Sequence, residues 1–211
     1  AAAAGIRAAR ASAMLDGGSA MLDAEEHPDG AVTDPVLTGA LRANAAIGEL
    51  VGAWRRAPLQ ALARLHVLAA ADLVADGAGL GRPRPAPGVG PRLVALAELV
   101  TRAPWSGPVL VAVVHGELLA LRPFGSADGV VARAAGRLAM VSTGLDPQAL
   151  TVPEVGHLRA GGQYLEAAGR YASGEPGGVA DWIAHVCGAL ESGAREARSI
   201  ATAAGPEGPH T

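Results

Sequence analysis

The chain has 211 residues, 50% of them hydrophobic and 18% charged, a composition typical of a soluble globular protein with one core and short tails. All 17 basic residues are arginine. This excludes enzymes that depend on a lysine, such as P-loop NTPases, pyridoxal enzymes, S-x-x-K acyl enzymes and protein kinases. A net charge of −3 and an isoelectric point near 6.1 argue against nucleic acid as a partner. The single cysteine, Cys187, excludes an internal disulfide and a cysteine-rich zinc site.

The N-terminal part predicts two helices joined by a polar linker. Residues 5–15 are rich in Ala, Met and Leu and end at Asp16-Gly17-Gly18, which predicts a short helix with a glycine stop. Residues 24–34 are polar and turn-forming. Asp34-Pro35 is a good N-cap with proline in the first turn, and apolar residues at helical spacing predict one long helix from there to Arg56.

The rest of the chain alternates helical patterns with Pro- and Gly-rich breaks. Residues 77–88 form the longest Gly/Pro stretch and predict a loop. Helices are predicted over residues 59–75, 91–102, 108–121, 129–143, 153–172 and 179–203. Strand-like alternation is not convincing anywhere, so we expect an all-α fold, with a short β-hairpin in residues 77–88 as the most plausible exception. The apolar run 108–121 is too short for a membrane span, which needs about 20 residues, and no secretory signal begins the chain. We therefore expect a cytoplasmic protein with no membrane partner.

Residues 122–133 carry the most informative pattern in the chain. Their sequence, R-P-F-G-S-A-D-G-V-V-A-R, resembles the motif H-P-F-x-x-G-N-G-R-x-x-R of the Fic/Doc (Fido) family, and Pro123, Phe124, Gly129 and Arg133 match it. The positions that depart from the motif are Arg122, Ala127, Asp128 and Val130. The resemblance implies a protein adenylyltransferase, which moves AMP from ATP to protein hydroxyls.

Weaker markers follow in the order and spacing of that family. They are Arg64-Leu65-His66, Gly81-Arg82-Pro83-Arg84, His115, Tyr164 and Asp181-Trp182-Ile183. The resemblance implies a Fic-like helical bundle in which a central helix feeds a phosphate-binding-type loop. The expected organisation is an N-terminal inhibitory-like helix and linker over residues 1–34, a Fic-like helical domain over 35–204, and a disordered tail over 205–211.

The N-terminal helix carries a second motif. Ser12-Ala13-Met14-Leu15-Asp16-Gly17 resembles the family's inhibitory motif, (S/T)-x-x-x-E-(G/N), with Asp16 in place of glutamate. Ser12 and Asp16 are four residues apart and so share a helix face, and the resemblance implies that Asp16 pairs with Arg133. The plain alternative is an ordinary packing helix that stops at Gly17.

The chemistry implied at the motif is changed by the substitutions. In the family the motif histidine accepts the proton of the target hydroxyl, but Arg122 stays protonated and is not expected to act as a base. Ser126 stands where the family often has an acidic Mg²⁺ ligand. Asp128 is a candidate metal ligand, although an N-cap role for a helix starting at Gly129 is the favoured interpretation.

The backbone of the motif still predicts an anion site. N–H groups at a helix N-terminus attract anions, so the expected phosphate- and nucleotide-binding residues are Gly125, Ser126, Ala127, Asp128, Gly129 and Arg133. We expect weak, Mg²⁺-dependent binding of ATP and impaired or altered transfer to an unidentified protein target. Two alternatives stay open: a non-catalytic helical interaction module that binds no nucleotide, and an active enzyme that uses His115 or Asp128 as its base.

Overall fold

The computed structural model describes residues 1–19, 34–75, 77–102, 105–203 and 205. These residues form ten α-helices and no strand, which confirms the all-α prediction. The helices are α1 (Ala2–Leu15), α2 (Pro35–Ala45), α3 (Ile47–Arg56), α4 (Pro58–Ala70), α5 (Val89–Thr101), α6 (Gly107–Leu121), α7 (Asp128–Ser142), α8 (Pro153–Ala160), α9 (Gly162–Ser173) and α10 (Gly178–Ala203). Most of the predicted linker and tail lies outside the described residues.

Proline and capping residues fix several helix starts as predicted. Asp34 caps α2, because its side chain accepts a hydrogen bond from the backbone N–H of Leu37 at 2.8 Å, and Pro35 occupies the first turn. Pro58 opens α4, one residue before the predicted start, and Pro153 opens α8 at the predicted residue, in both cases without a side-chain cap. Local sequence signals therefore determine these boundaries.

Two predicted helices are each split in the structure. The predicted helix from Pro35 to Arg56 is divided at Ala46, although the backbone bonds from Ala46 to Arg42 and from Leu50 to Ala46 are kept. The predicted helix over residues 153–172 breaks at Gly161, where φ is 54° and ψ is −118°. Only glycine tolerates that conformation.

The hairpin suggested for residues 77–88 is not formed, since this fully described segment contains turns and irregular backbone but no strand. Its backbone pairs with a different part of the chain. The Arg84 N–H donates to the carbonyl of Pro123 at 2.8 Å. The backbone hydrogen bonds within the segment form turns, and its Arg84 backbone contacts the loop that follows α6.

Helices α6 and α7 form the centre of the bundle. Both are buried along most of their length, and α7 also contacts α1, α2, α3 and α4, while α6 contacts α5, α9 and α10. Helix α1 packs against α2, α7 and α8, which brings its C-terminal end to the N-terminal end of α7. Among the described residues, no helix combines the length and apolar character that crossing a bilayer requires.

Candidate functional site

The loop between α6 and α7 is tightly wound. Arg122 and Ala127 adopt left-handed conformations with φ of 46° and 50°, and Gly125 has φ of 80°. Non-glycine residues rarely adopt such angles, and strain of this kind concentrates at functional loops. The surrounding structure must hold the loop in place.

Arg84 supplies much of that support. Its side chain donates through Nε to the Arg122 carbonyl at 2.7 Å and through a terminal nitrogen to the Leu121 carbonyl at 2.9 Å. These carbonyls are among those that α6 leaves without a partner at its C-terminus, where a cation is also favoured by the helix dipole. Arg84, the last residue of the Gly81-Arg82-Pro83-Arg84 marker, thus caps the C-terminus of α6. The sequence did not predict this role.

His66 supports the middle of the loop. Its Nδ1 accepts a hydrogen bond from the backbone N–H of Gly81 at 2.9 Å, which leaves the proton of the neutral ring on Nε2, 3.0 Å from the Ser126 hydroxyl. The ring stacks on Phe124 with 4.2 Å between centroids. Burial lowers the pKa of His66, which favours this neutral form. Ser126 is therefore bound to a histidine in the fold.

The sequence suggested that Asp128 caps a helix starting at Gly129, but the structure does not show this. Helix α7 already begins at Asp128, and Ala127 occupies the N-cap position. The carboxylate of Asp128 instead reaches back and accepts the backbone N–H groups of Phe124 at 2.9 Å and Gly125 at 2.8 Å. The capping role is not taken up because both carboxylate oxygens bind N–H groups of the preceding loop. Burial raises the pKa of Asp128, partly offset by these two hydrogen bonds.

The N–H of Gly125, which we expected to face an anion, is thus occupied. The N–H groups of residues 126–129 have no hydrogen-bond acceptor among the described residues. They lie beside a surface cavity of about 390 Å³ that is lined by residues 125–129 together with Asp16, Leu119 and Arg122. The positive end of α7 therefore faces this cavity.

Arg133 lies one turn inside α7 and is almost fully buried. Its Nε donates to the Ser12 hydroxyl at 2.8 Å, and one terminal nitrogen donates to the Ser12 carbonyl at 3.0 Å. The same nitrogen lies 2.8 Å from a carboxylate oxygen of Asp16. The other terminal nitrogen lies 3.3 Å from the Tyr164 hydroxyl. The ion pair between Asp16 and Arg133 that the sequence motif implied is present.

Asp16 joins this arginine to the start of α7. Its second carboxylate oxygen accepts the N–H of Val130 at 3.0 Å. The side chain of Asp16 is 24% exposed and that of Arg133 only 3%, so the carboxylate contacts solvent while the guanidinium is buried. A Cβ at Gly129 would overlap this carboxylate, which explains the need for glycine there. Gly17, with φ of 81°, ends the helix that carries the carboxylate.

Two other motif positions have roles unrelated to a ligand. Val130, in place of the motif arginine, has its side chain in the hydrophobic core. Arg122, in place of the motif histidine, is exposed, and its guanidinium makes no hydrogen bond to any described residue. The arrangement can bind an anion, but it offers no base at the motif-histidine position.

His115, the alternative base, lies outside the cavity. It is buried, its Nε2 is 3.1 Å from the Tyr164 hydroxyl, and its ring contacts His157 and Trp182. Burial first, and then the charge of Arg133, holds its pKa well below the usual value. His157 in turn bonds His185 through ring nitrogens 3.0 Å apart. Sequence reasoning gave these histidines no partners, because α6, α8 and α10 meet only in the folded chain.

Asp128 is also the one metal candidate from the sequence. Each of its oxygens already accepts one backbone N–H. Within the part of the chain that the structure describes, no three His, Cys, Asp or Glu side chains are grouped so that they could hold a metal ion.

Comparisons with known proteins add no assignment. No protein-family model matches the sequence, and no curated protein matches it at a significant level.

Proposed function

We propose that this chain is a Fic-like protein that binds the phosphates of a nucleotide, ATP with Mg²⁺, at the N-terminus of α7, and that its ability to transfer AMP is impaired or altered. The observation that carries the proposal is the position of the Asp16 carboxylate, which pairs with Arg133 and accepts the Val130 N–H. An internal carboxylate thus occupies a place suited to a phosphate oxygen.

The charges around the cavity favour an anion there. Among the described residues, the N–H groups of residues 126–129 have no acceptor, and the guanidinium of Arg122, which lines the same cavity, has no hydrogen-bond partner. Arg133 would lose its ion-pair partner if Asp16 moved away, because Asp16, which lines the cavity, now binds one of its terminal nitrogens. A guanidinium and a helix N-terminus together form a site of the kind that binds phosphate groups. We therefore assign Asp16 the role of an internal competitor for the nucleotide.

Magnesium fits this site only if the phosphates of the nucleotide supply some of its ligands. Mg²⁺ commonly binds one or two carboxylates together with substrate phosphates. The oxygens of Asp128 keep lone pairs after accepting one N–H each, whereas Ser126 is bound to His66. Asp128 would thus hold the cation, whose charge would offset the repulsion between this carboxylate and the phosphates.

The same geometry argues against transfer by the usual mechanism. Arg122 cannot accept a proton from a hydroxyl, the Asp128 oxygens are bound to the loop backbone, and His115 does not line the cavity. We therefore propose a nucleotide-binding protein with a degenerate motif.

Calorimetric titration with Mg-ATP tests the proposal. We expect the wild-type chain to bind with a Kd of ~0.1–1 mM, and Asp16→Ala to bind about tenfold more tightly because Arg133 and the Val130 N–H become free. Asp181→Ala is the matched control, since it also removes one exposed carboxylate that pairs with an arginine, in this case Arg170. It should leave the affinity unchanged.

Two results would contradict the proposal. If neither the wild type nor Asp16→Ala bound Mg-ATP at millimolar concentration, a helical interaction module that binds no nucleotide would be favoured. If Asp181→Ala tightened binding as much as Asp16→Ala, the effect would come from net charge and not from the site.

A further inference from the structure

Another cavity lies between α1 and α8. It measures about 320 Å³, at the lower end of the range for small-molecule sites. Three arginines line it, Arg7 and Arg10 from α1 and Arg159 from α8, and the other described residues on its walls are apolar, among them Met14 and Leu158. No described residue lines both this cavity and the one at the start of α7. The cavity therefore combines positive charge with apolar surface.

One glutamate fixes two of these arginines. Glu196 of α10 has its Oε1 at 2.9 Å from the Nε of Arg7 and its Oε2 at 2.9 Å from a terminal nitrogen of Arg159. The Glu196 side chain is 10% exposed, while those of Arg7 and Arg159 are 51% and 60% exposed. Both guanidiniums therefore contact solvent and are already held at one carboxylate, which reduces the entropy that they lose when they bind a ligand.

Arg10 is an arginine without a partner. Of the 17 arginines, all within the described residues, four are not exposed: Arg10, Arg42, Arg133 and Arg137. The other three donate to carbonyl or carboxylate oxygens. Arg10 makes no hydrogen bond or ion pair with a described residue, and its Nε is buried, whereas its terminal nitrogens are accessible. A partly buried charge without a partner is costly to the fold, so an anion is the missing component of this site.

The charges around the cavity indicate which anion fits. Arg10 follows Arg7 by three residues, so the two are neighbours on the surface of α1. The three arginines face one glutamate, which leaves an excess of two positive charges in a chain whose net charge is −3. A phosphate monoester carries about −1.5 to −2 at pH 7, and guanidiniums bind its oxygens through paired hydrogen bonds. A carboxylate would neutralise only half of the excess.

We propose that this cavity binds the phosphate monoester of a small apolar alcohol. The phosphate lies among the guanidiniums of Arg7, Arg10 and Arg159, and the hydrocarbon lies against Met14 and Leu158. The site is separate from the anion site at the start of α7, and the proposal does not depend on nucleotide binding there.

Four probes separate the charge of the ligand from its apolar part: hexyl phosphate, hexanoate, 1-hexanol and inorganic phosphate. Calorimetric titration of the full chain at pH 7.5 should give saturable binding of hexyl phosphate. Hexanoate should bind about tenfold more weakly because it carries one charge, and inorganic phosphate about tenfold more weakly because it lacks the hydrocarbon. We expect no saturable binding of 1-hexanol.

Arg10→Met removes the unpaired charge and keeps an apolar side chain of similar length. It should weaken binding of hexyl phosphate at least about tenfold and should keep the wild-type melting temperature or raise it, because a partly buried charge without a partner is removed. Arg56→Met on α3 is the matched control. Arg56 is exposed, has no partner among the described residues and does not line the cavity. This variant should bind hexyl phosphate as the wild type does.

Met14→Ala tests the apolar contact in a variant that should fold, since Met14 is exposed and alanine favours the helix. The affinity for hexyl phosphate should fall about threefold while that for inorganic phosphate stays the same.

Four results would overturn the proposal. The first is absence of saturable binding of hexyl phosphate. The second is undiminished binding of it by Arg10→Met, which would locate the phosphate elsewhere, such as the start of α7. The third is a hexanoate affinity equal to that for hexyl phosphate, which would contradict a phosphate ligand. The fourth is an inorganic phosphate affinity equal to it, which would contradict the apolar contact.

Discussion

The guanidinium of Arg133 lies 2.8 Å from the carboxylate of Asp16 and is held from the same helix by the Ser12 hydroxyl. The C-terminal end of α1 therefore places a carboxylate at the N-terminus of α7. Arg133 is buried and Asp16 is partly exposed, so the ion pair neutralises the charge of a guanidinium that has little contact with solvent.

The ion pair should contribute to stability as well as to binding. Asp16→Ala leaves a buried guanidinium with fewer partners and one helix N–H without an acceptor, so the free energy of unfolding should fall by about 1–3 kcal/mol. Urea denaturation measures this. Asp181→Ala, which breaks a pair between two half-exposed side chains, should change it by less than about 1 kcal/mol. An equal loss in the two variants would show that the buried pair has no special weight.

No AMP transfer is expected from the natural sequence. Incubation with ATP labelled in the α-phosphate should leave both the protein itself and a lysate unlabelled, because Arg122 cannot act as a base. Arg122→His alone should not restore transfer, since Val130 is in the core where the motif has an arginine and Ser126 is bound to His66. Strong labelling by the wild type would mean that another base operates, and His115→Ala would then show whether it is that histidine.

Gly39 is a position where the packing of two helices leaves no room for a side chain. A Cβ there would collide with the backbone carbonyl of Ala69 in α4. Gly39→Ala should therefore destabilise the fold by about 2–4 kcal/mol, despite the better helix propensity of alanine. Gly169→Ala in α9 is the control, because its Cβ meets nothing within 4 Å, and it should raise stability by about 0.5–1 kcal/mol. Thermal unfolding of the two variants should shift in opposite directions.

The buried histidines predict a loss of stability in acid. Burial holds the pKa values of His115 and His157 well below 6.5, so below about pH 6.5 the unfolded chain binds protons that the folded chain does not. The free energy of unfolding should decrease as the pH falls through this range. The contribution of one histidine approaches about 1.4 kcal/mol per pH unit.

His115→Gln isolates that contribution, because glutamine can still bond Tyr164 but does not titrate. The raised pKa of Asp128 acts in the opposite direction, and it is common to both proteins. Urea denaturation at pH 7.5 and at lower pH should give a smaller pH dependence for the variant. Identical pH profiles would show that the pKa of His115 is the same in the folded and unfolded states.

Local signals in the sequence predicted most of the fold. Helical spacing and the Asp34-Pro35 cap identified elements whose ends depend on nearby residues. The breaks at Ala46 and Gly161 were missed because the apolar pattern continues across them. They depend on the backbone angles of single residues, which periodicity does not report.

The candidate site was predicted only in part, because the sequence motifs report spacing along the chain and not contacts between distant segments. The motif spacing indicated that Ser12 and Asp16 share a face and that Arg133 follows the loop, and the structure brings all three together. The motif spacing did not indicate that Asp128 would bind the loop backbone or that Arg84 would cap α6. Those contacts depend on the left-handed turn at Ala127 and on the path of residues 77–88, which only the folded chain determines.

The most direct test of the central claim is where Mg-ATP acts on the protein. The ¹H–¹⁵N chemical shifts of the ¹⁵N-labelled Asp16→Ala variant should change on titration at the backbone amides of residues 126–130 and at the Arg133 side chain. Wild type should show the same pattern at higher nucleotide concentration, since Asp16 competes for the site. Shifts confined to other surfaces, or no shifts at millimolar Mg-ATP, would contradict the account.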